Sequence, residues 1–160
     1  LDADGRYMCQ SGKGIVANCI GDRDDMKVSD FWAWKNVAGE PWDTSRWTPD
    51  VCVLNCGTND AWGGIGDEEF KERGLRFLAD VRKAYPQAKI VWAYGIMDET
   101  KLRAVEETVN EFAKNDANTY FFPIKSMYHF NDEVGGGGHP NTNTSKRTSA
   151  ELAARIKEIL

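Results

Sequence analysis

Three short segments of this chain carry residue types that could do chemistry together. They are Ser11-Gly-Lys-Gly14, Gly57-Thr-Asn-Asp60 and His139-Pro-Asn141. A side-chain amide and backbone N–H groups at neighbouring strand ends can form an oxyanion hole, and a histidine beyond the last strand can serve the same crevice as general base. Those are parts of an acyl-transfer centre, which also requires a nucleophile. Each segment also has a structural reading: Gly12 and Gly14 turn the chain, Gly57-Thr-Asn-Asp makes a strand-to-helix turn with Asn or Asp as a cap, and His139-Pro leads into a helix.

The elements that must position these residues alternate between short apolar runs and amphipathic stretches, the pattern of an α/β domain with a mainly parallel sheet. Four runs read as strands: Arg6–Gln10, Val51–Cys56, Ile90–Tyr94 and Tyr120–Ile124. Val51–Cys56 is continuously apolar, as a central strand buried on both faces would be. Pro123 removes a ladder donor and places its run at a sheet edge. One helix opens at Asp67-Glu-Glu, where acidic side chains suit the positive dipole end, and stops before Pro86. A second carries Leu102, Val105, Val109, Phe112 and Ala113 on one face. Thr148-x-x-Glu151 has the form of a capping box and predicts the start of the last helix. The ligand crevice of such a sheet lies at the carboxyl ends of its strands.

Composition bounds the function. The 160 residues, 41% hydrophobic and 28% charged, suit a single domain with one core. A net charge of −5 without a Lys/Arg cluster argues against a nucleic-acid partner, and no apolar run of about 18 residues predicts a membrane span. Cys9, Cys19, Cys52 and Cys56 form no Cys-x-x-Cys pair and have no nearby His, so no metal site is predicted. Cys52 and Cys56 would stand roughly 13 Å apart on one face of a strand, too far to bridge, and read as buried free thiols.

Gly12, then Gly57-Thr-Asn59-Asp60, then His139, in this order and spacing, resemble the conserved blocks of the SGNH/GDSL hydrolases. Ser11-Gly-Lys-Gly-Ile15, Trp47-Thr-Pro-Asp-Val51 running into Leu54-Asn-Cys-Gly-Thr-Asn-Asp60, and Gly138-His-Pro-Asn141 are most similar to the second carbohydrate esterase family, whose members remove acetyl groups from sugars. The resemblance implies a three-layer α/β/α sandwich with strand order 2-1-3-4-5, and residues 1–160 as the C-terminal major part of one such domain. It also implies the Gly12 N–H and the Asn59 amide as oxyanion donors, His139 as the base that activates serine, a small acyl ester or acetylated carbohydrate as substrate, no metal or organic cofactor, and a secreted or periplasmic location.

Two departures qualify it. Many such enzymes carry an Asp three residues before the histidine, where this chain has Gly136. A full triad is therefore not supported, and resemblance to members of that esterase family implies a Ser–His dyad with a backbone carbonyl orienting the imidazole, Asp132 being the weaker substitute. The family's Gly-Asp-Ser block, which carries the nucleophile after the first strand, does not occur in these residues. Gly21-Asp-Arg23 has the wrong third residue, and Ser11 occupies the oxyanion block. In the order 2-1-3-4-5 the corresponding strand would lie between residues 6–10 and 51–56, and its absence would leave a gap of nearly 10 Å, at about 4.8 Å per strand spacing. The expectation is a companion polypeptide or swapped segment that carries Gly-Asp-Ser and fills that place.

The remaining candidates are weaker. His129 reads as a partly buried structural histidine. The aromatic stretch 31–47 reads as a loop packed on itself, while Trp62, just after Asn59-Asp60, could stack on a sugar ring. The Gly135–Gly138 run reads as a mobile loop that lets His139 adjust. A non-catalytic carbohydrate-binding module on the same scaffold is the competing reading. A flavodoxin-like nucleotide or signalling domain shares the sheet but would want a Gly-x-Gly-x-x-Gly motif or an acidic phospho-acceptor pocket, and neither is visible.

Overall fold

A computed structural model describes residues 1–34 and 39–160. The regular elements run α1 (Val28–Phe31), β1 (Val51–Leu54), α2 (Thr58–Trp62), α3 (Asp67–Ala84), β2 (Lys89–Tyr94), α4 (Leu102–Ala113), β3 (Thr119–Pro123) and α5 (Thr142–Ile159). The strands form one parallel sheet in the order β1-β2-β3, with Cys52 opposite Ile90 and Val91 opposite Tyr120.

Both faces of β2 are covered, which explains its unbroken apolar run. Ile90, Trp92 and Tyr94 join Phe70, Phe77, Leu78 and Val81 of α3 and Val105 and Val109 of α4 in one core. Val91 and Ala93 face the other way, with Phe122, Ile124 and Ile156 of α5. Alternate residues of a strand point to opposite faces, so one six-residue strand serves two helical layers. The α/β architecture with a parallel sheet between helical layers is as expected.

The strand register also relies on a glycine. Gly95, which ends β2, has φ +127°, and a Cβ there would lie 1.9 Å from the Ile124 carbonyl oxygen. Only a residue without a side chain lets the β2 and β3 exits run this close.

Three sequence expectations are corrected. Residues 6–10 form no strand and are exposed throughout, because a strand needs a neighbour for its backbone groups and none of the described residues pairs with this segment. Among the described residues no two strands flank a gap, and β1 stands at the end of the sheet, where a central strand was expected. Val53 is 40% exposed and only Leu54 of the strand is buried.

The last helix begins six residues before the Thr148 pattern. Asn141 is its N-cap, accepting from the backbone N–H of Asn143 at 2.8 Å and of Thr144 at 3.2 Å. Thr148 is buried inside the helix and donates its hydroxyl to the Thr144 carbonyl.

The stretch 31–47, expected to pack on itself, does so where the rings of Phe31 and Trp34 meet but also packs on other segments; residues 35–38 lie outside the described residues. Phe31 is buried, and Trp32 meets Phe77 and Tyr85 edge-on. The Arg6 guanidinium lies over the rings of both Trp42 and Trp47, at 5.2 and 4.9 Å from their centroids. Cys56 is buried and Cys52 half-buried, and burial pushes the Cys52 thiol up to about 11.

Candidate active site

The strand-end turn after β1 places the first candidate. Gly57 takes φ +124° and starts α2, which carries Asn59, Asp60 and, at its end, Trp62. The Asp60 carboxylate is fully buried and accepts backbone N–H bonds from Ile15 (3.0 Å), Val16 (2.7 Å) and Ala17 (3.0 Å). Three successive amides turned toward one carboxylate make an anion nest that the chain supplies for itself. Burial pushes the Asp60 carboxyl above its usual range, against the opposing pull of those N–H groups.

This clasp shapes the loop that contains Gly12. Gly14 passes so close that a Cβ would sit 2.0 Å from the Ala17 carbonyl oxygen and 2.6 Å from an Asp60 carboxylate oxygen. Gly12 itself has φ +75° and accepts a backbone bond from Cys19 at 2.8 Å. The Asn59 side-chain nitrogen donates to the Lys13 carbonyl at 3.0 Å. The fold thus brings Asn59 to the turn that begins at Gly12, across 46 residues of sequence.

His139 is exposed and lies at the end of a small hairpin between β3 and α5. Gly135 donates its N–H to the His139 carbonyl at 2.7 Å, the Asn141 N–H donates to the Glu133 carbonyl at 3.1 Å, and Val134 bridges Pro140. The Gly-rich run forms a hydrogen-bonded turn. Four glycines permit it because Gly137 and Gly138 both take positive φ.

The His139 Nδ1 lies 3.1 Å from the carbonyl oxygen of Gly137. A carbonyl can only accept, so this contact assigns the proton to Nδ1 and leaves the Nε2 lone pair available. Asp132 is engaged elsewhere: its carboxylate accepts from the Asn143 side-chain amide at 3.0 Å. Among the described residues no hydrogen bond links His139 to Asp132, Gly12, Asn59 or Trp62.

His129 is exposed rather than partly buried, and its Nε2 is 2.9 Å from a Glu99 carboxylate oxygen. That contact, with the Ser126 N–H, holds Glu99 below the usual carboxylate range. Trp62, at the end of the helix that carries Asn59 and Asp60, is 48% exposed. A groove of about 490 Å³ between the 15–30 segment and the start of α3 is lined by Arg23, Lys27, Asp30, Glu69 and Arg73 among others, and by none of the candidate residues.

Sequence reading missed two supports. Asp60 was visible only as a cap, because nothing in its spacing says that it reaches residues 15–17. Glu133 and Arg147, which tie the His139 hairpin to α5, carry no local signal: their side chains meet at 2.8 Å across 14 residues.

A parallel sheet flanked by helices, with the Gly12 turn, Gly57-Thr-Asn-Asp60 at the start of α2 and His139 in the hairpin before α5, defines a class. The chain belongs to the GDSL-like lipase/acylhydrolase family, whose model matches residues 11–159. An acetylxylan esterase / glucomannan deacetylase of Cellvibrio japonicus (strain Ueda107) is 27% identical over 165 residues, which covers 100% of this chain and 46% of that protein. A cellulase/esterase of Acetivibrio thermocellus is 28% identical over 171 residues, covering 100% of this chain and 20% of its own length. Among solved structures, a family two carbohydrate esterase from Clostridium thermocellum in complex with cellohexaose superposes with a TM-score of 0.80 at 26% identity, over 92% of this chain and 47% of the other. An acetyl xylan esterase from the rumen bacterium Butyrivibrio proteoclasticus shares the fold at a TM-score of 0.77 and 20% identity, over 92% of this chain and 49% of that one. The chain thus spans less than half the length of the curated relatives it matches.

Proposed function

We propose that residues 1–160 are the C-terminal major part of a serine esterase domain that removes small acyl groups, foremost O-acetyl groups from carbohydrate. The observation that carries this reading is the His139 Nδ1 contact with the Gly137 carbonyl at 3.1 Å, which leaves Nε2 free to act as a base. The relatives support the substrate class: the Cellvibrio protein is named for deacetylation of xylan and glucomannan.

In this mechanism the serine comes from a Gly-Asp-Ser segment outside these residues. Its hydroxyl proton passes to His139 Nε2 as the oxygen attacks the ester carbonyl. The resulting oxyanion is met by the Gly12 N–H and the Asn59 side-chain amide. Collapse expels the sugar hydroxyl, which takes the proton back from His139. Water then repeats the sequence on the acyl-serine, releasing acetate and free serine. Among the described residues no carboxylate is hydrogen-bonded to the imidazole, and the Gly137 carbonyl is the group that orients it and fixes the tautomer.

The serine segment, as a separate polypeptide or a swapped piece, would pair with the free edge of β1. The half-exposed Val53 on that strand supports a partner there.

The test is release of p-nitrophenol from its acetate ester by the complete protein. Turnover abolished by His139→Ala is expected. Tight glycan binding with no turnover would replace the enzyme by the competing reading, a non-catalytic carbohydrate-binding module on the same scaffold.

A further inference from the structure

The hairpin that presents His139 is held by a side-chain junction that plays no part in the chemistry above. Arg147, in the second turn of α5, donates from Nε to both carboxylate oxygens of Glu133, at 2.8 and 3.1 Å, and from Nη2 to one of them at 2.8 Å. Nη2 also donates to the Lys125 carbonyl at 3.0 Å, and the guanidinium lies 4.1 Å from the centroid of the Phe130 ring. One planar cation thus joins three segments: the exit of β3, the base of the hairpin and the last helix.

Glu133 is the residue from which the hairpin departs. Its side chain is only 8% exposed, and its own carbonyl accepts from the Asn141 N–H and, at 2.5 Å, from the Thr144 hydroxyl. At the other end, the exposed Tyr128 donates its hydroxyl to the Gly138 carbonyl at 3.3 Å, one peptide beyond the carbonyl that receives His139 Nδ1. The turn is therefore tied at its base by the ion pair together with neutral bonds to the Glu133 carbonyl, and near its tip by the Tyr128 hydroxyl in addition to its own backbone bonds.

We infer that the Glu133–Arg147 pair is a positioning device for His139: it sets the hairpin so that the Gly137 carbonyl meets Nδ1 and a single imidazole tautomer is populated. This deepens the reading of His139 as the base and rests on it for its functional meaning, although the geometric claim stands on the contacts alone. Arginine suits the task because its rigid planar fork engages both carboxylate oxygens while its face stacks on Phe130; lysine has a single point-charge ammonium and no planar fork.

The experiment reads the tautomer rather than turnover. Long-range nitrogen–proton correlation spectra of the imidazoles distinguish an Nδ1–H ring from an Nε2–H ring, and His129, on the Glu99 pair, is an internal reference. In the wild-type protein at a pH where His139 is neutral, its ring is expected to be predominantly Nδ1–H. Arg147→Lys and Glu133→Gln retain shape and polarity. In both, His139 is expected to become a mixture of tautomers while His129 is unchanged and the far-ultraviolet dichroism remains native. Folded variants in which His139 keeps the single Nδ1–H tautomer overturn the inference, even if their melting temperature falls, because that is the result of a purely structural pair. If both variants fail to fold, Tyr128→Phe, which loosens only the tip, is measured alongside Phe130→Leu, which removes the stacking platform. Loss of the single tautomer in Phe130→Leu supports the device, and its loss in Tyr128→Phe alone overturns it. Failure of the esterase reading is separate: it shows as unchanged turnover in His139→Ala, whatever the spectra report.

Discussion

The side-chain nitrogen of Asn59 donates to the carbonyl oxygen of Lys13 at 3.0 Å, and this bond joins the turn after β1 to the loop that contains Gly12. A primary amide has two N–H groups. Using one of them on Lys13 fixes the plane of the amide, so the second points in a defined direction without any reorganisation when charge develops.

Asn59→Ala in the complete enzyme is accordingly expected to lower kcat for an acetate ester by on the order of 10²- to 10³-fold, the effect of removing one oxyanion donor. The Michaelis constant should change far less. Steady-state kinetics on p-nitrophenyl acetate measure both; a variant that loses only affinity would assign Asn59 to substrate binding instead.

Gly14→Ala is expected to be among the most damaging small substitutions in the chain. Its Cβ would collide with the Ala17 carbonyl and the Asp60 carboxylate, at 2.0 and 2.6 Å. The nest around Asp60 must open, leaving buried N–H groups unmatched at about 1–3 kcal/mol each. Urea unfolding should show a midpoint well below that of Gly136→Ala, a position where an added Cβ meets nothing within 4 Å.

Acid should remove the hairpin anchor. Arg147 holds the Glu133 carboxyl below its ordinary value of 4.5. A carboxylate with a depressed folded-state pKa adds stability above the unfolded value, and that contribution disappears as pH falls through the folded one. The difference in unfolding midpoint between wild type and Glu133→Gln is therefore expected to be constant from about pH 6 to 7 and to shrink below about 4.5. A difference that persists undiminished at pH 2 would show that the carboxylate charge is not what Arg147 reads.

Trp62→Ala tests the sugar platform. The indole is 48% exposed, so its removal should leave the melting temperature nearly unchanged. Stacking on an apolar sugar face predicts a several-fold rise in the Michaelis constant for an acetylated oligosaccharide, with p-nitrophenyl acetate unaffected. Equal effects on both esters would remove Trp62 from the glycan-contact role.

The parts of this molecule that could be read from sequence are those where local pattern and tertiary environment agree. β2 is apolar from Ile90 to Tyr94 because that stretch is covered on both faces, and α3 and α4 show helical periodicity because each buries one stripe. Residues 6–10 have strand-like composition, but a strand is made by its neighbour, and none is present among the described residues. Thr148-x-x-Glu151 looks like a helix start because threonine and glutamate also serve inside helices; the cap is Asn141, which reads in sequence as the tail of the His139 motif. The candidate site divides along the same line. Gly12, Asn59 and His139 stand in recognisable order, whereas the Asp60 clasp and the Glu133–Arg147 junction depend on contacts between distant segments that no local pattern encodes.

The outer edge of β1, unpaired among the described residues, governs how this stretch of chain behaves in a tube. Its outward-facing backbone groups, next to the exposed Val53, form a short template that any extended peptide could extend. Colloidal behaviour should then depend on concentration: dilute samples remain dispersed, and concentrated ones self-associate through added strands. A short synthetic peptide with strand propensity that occupies the edge should suppress this, acting as a solubiliser before it acts as anything else.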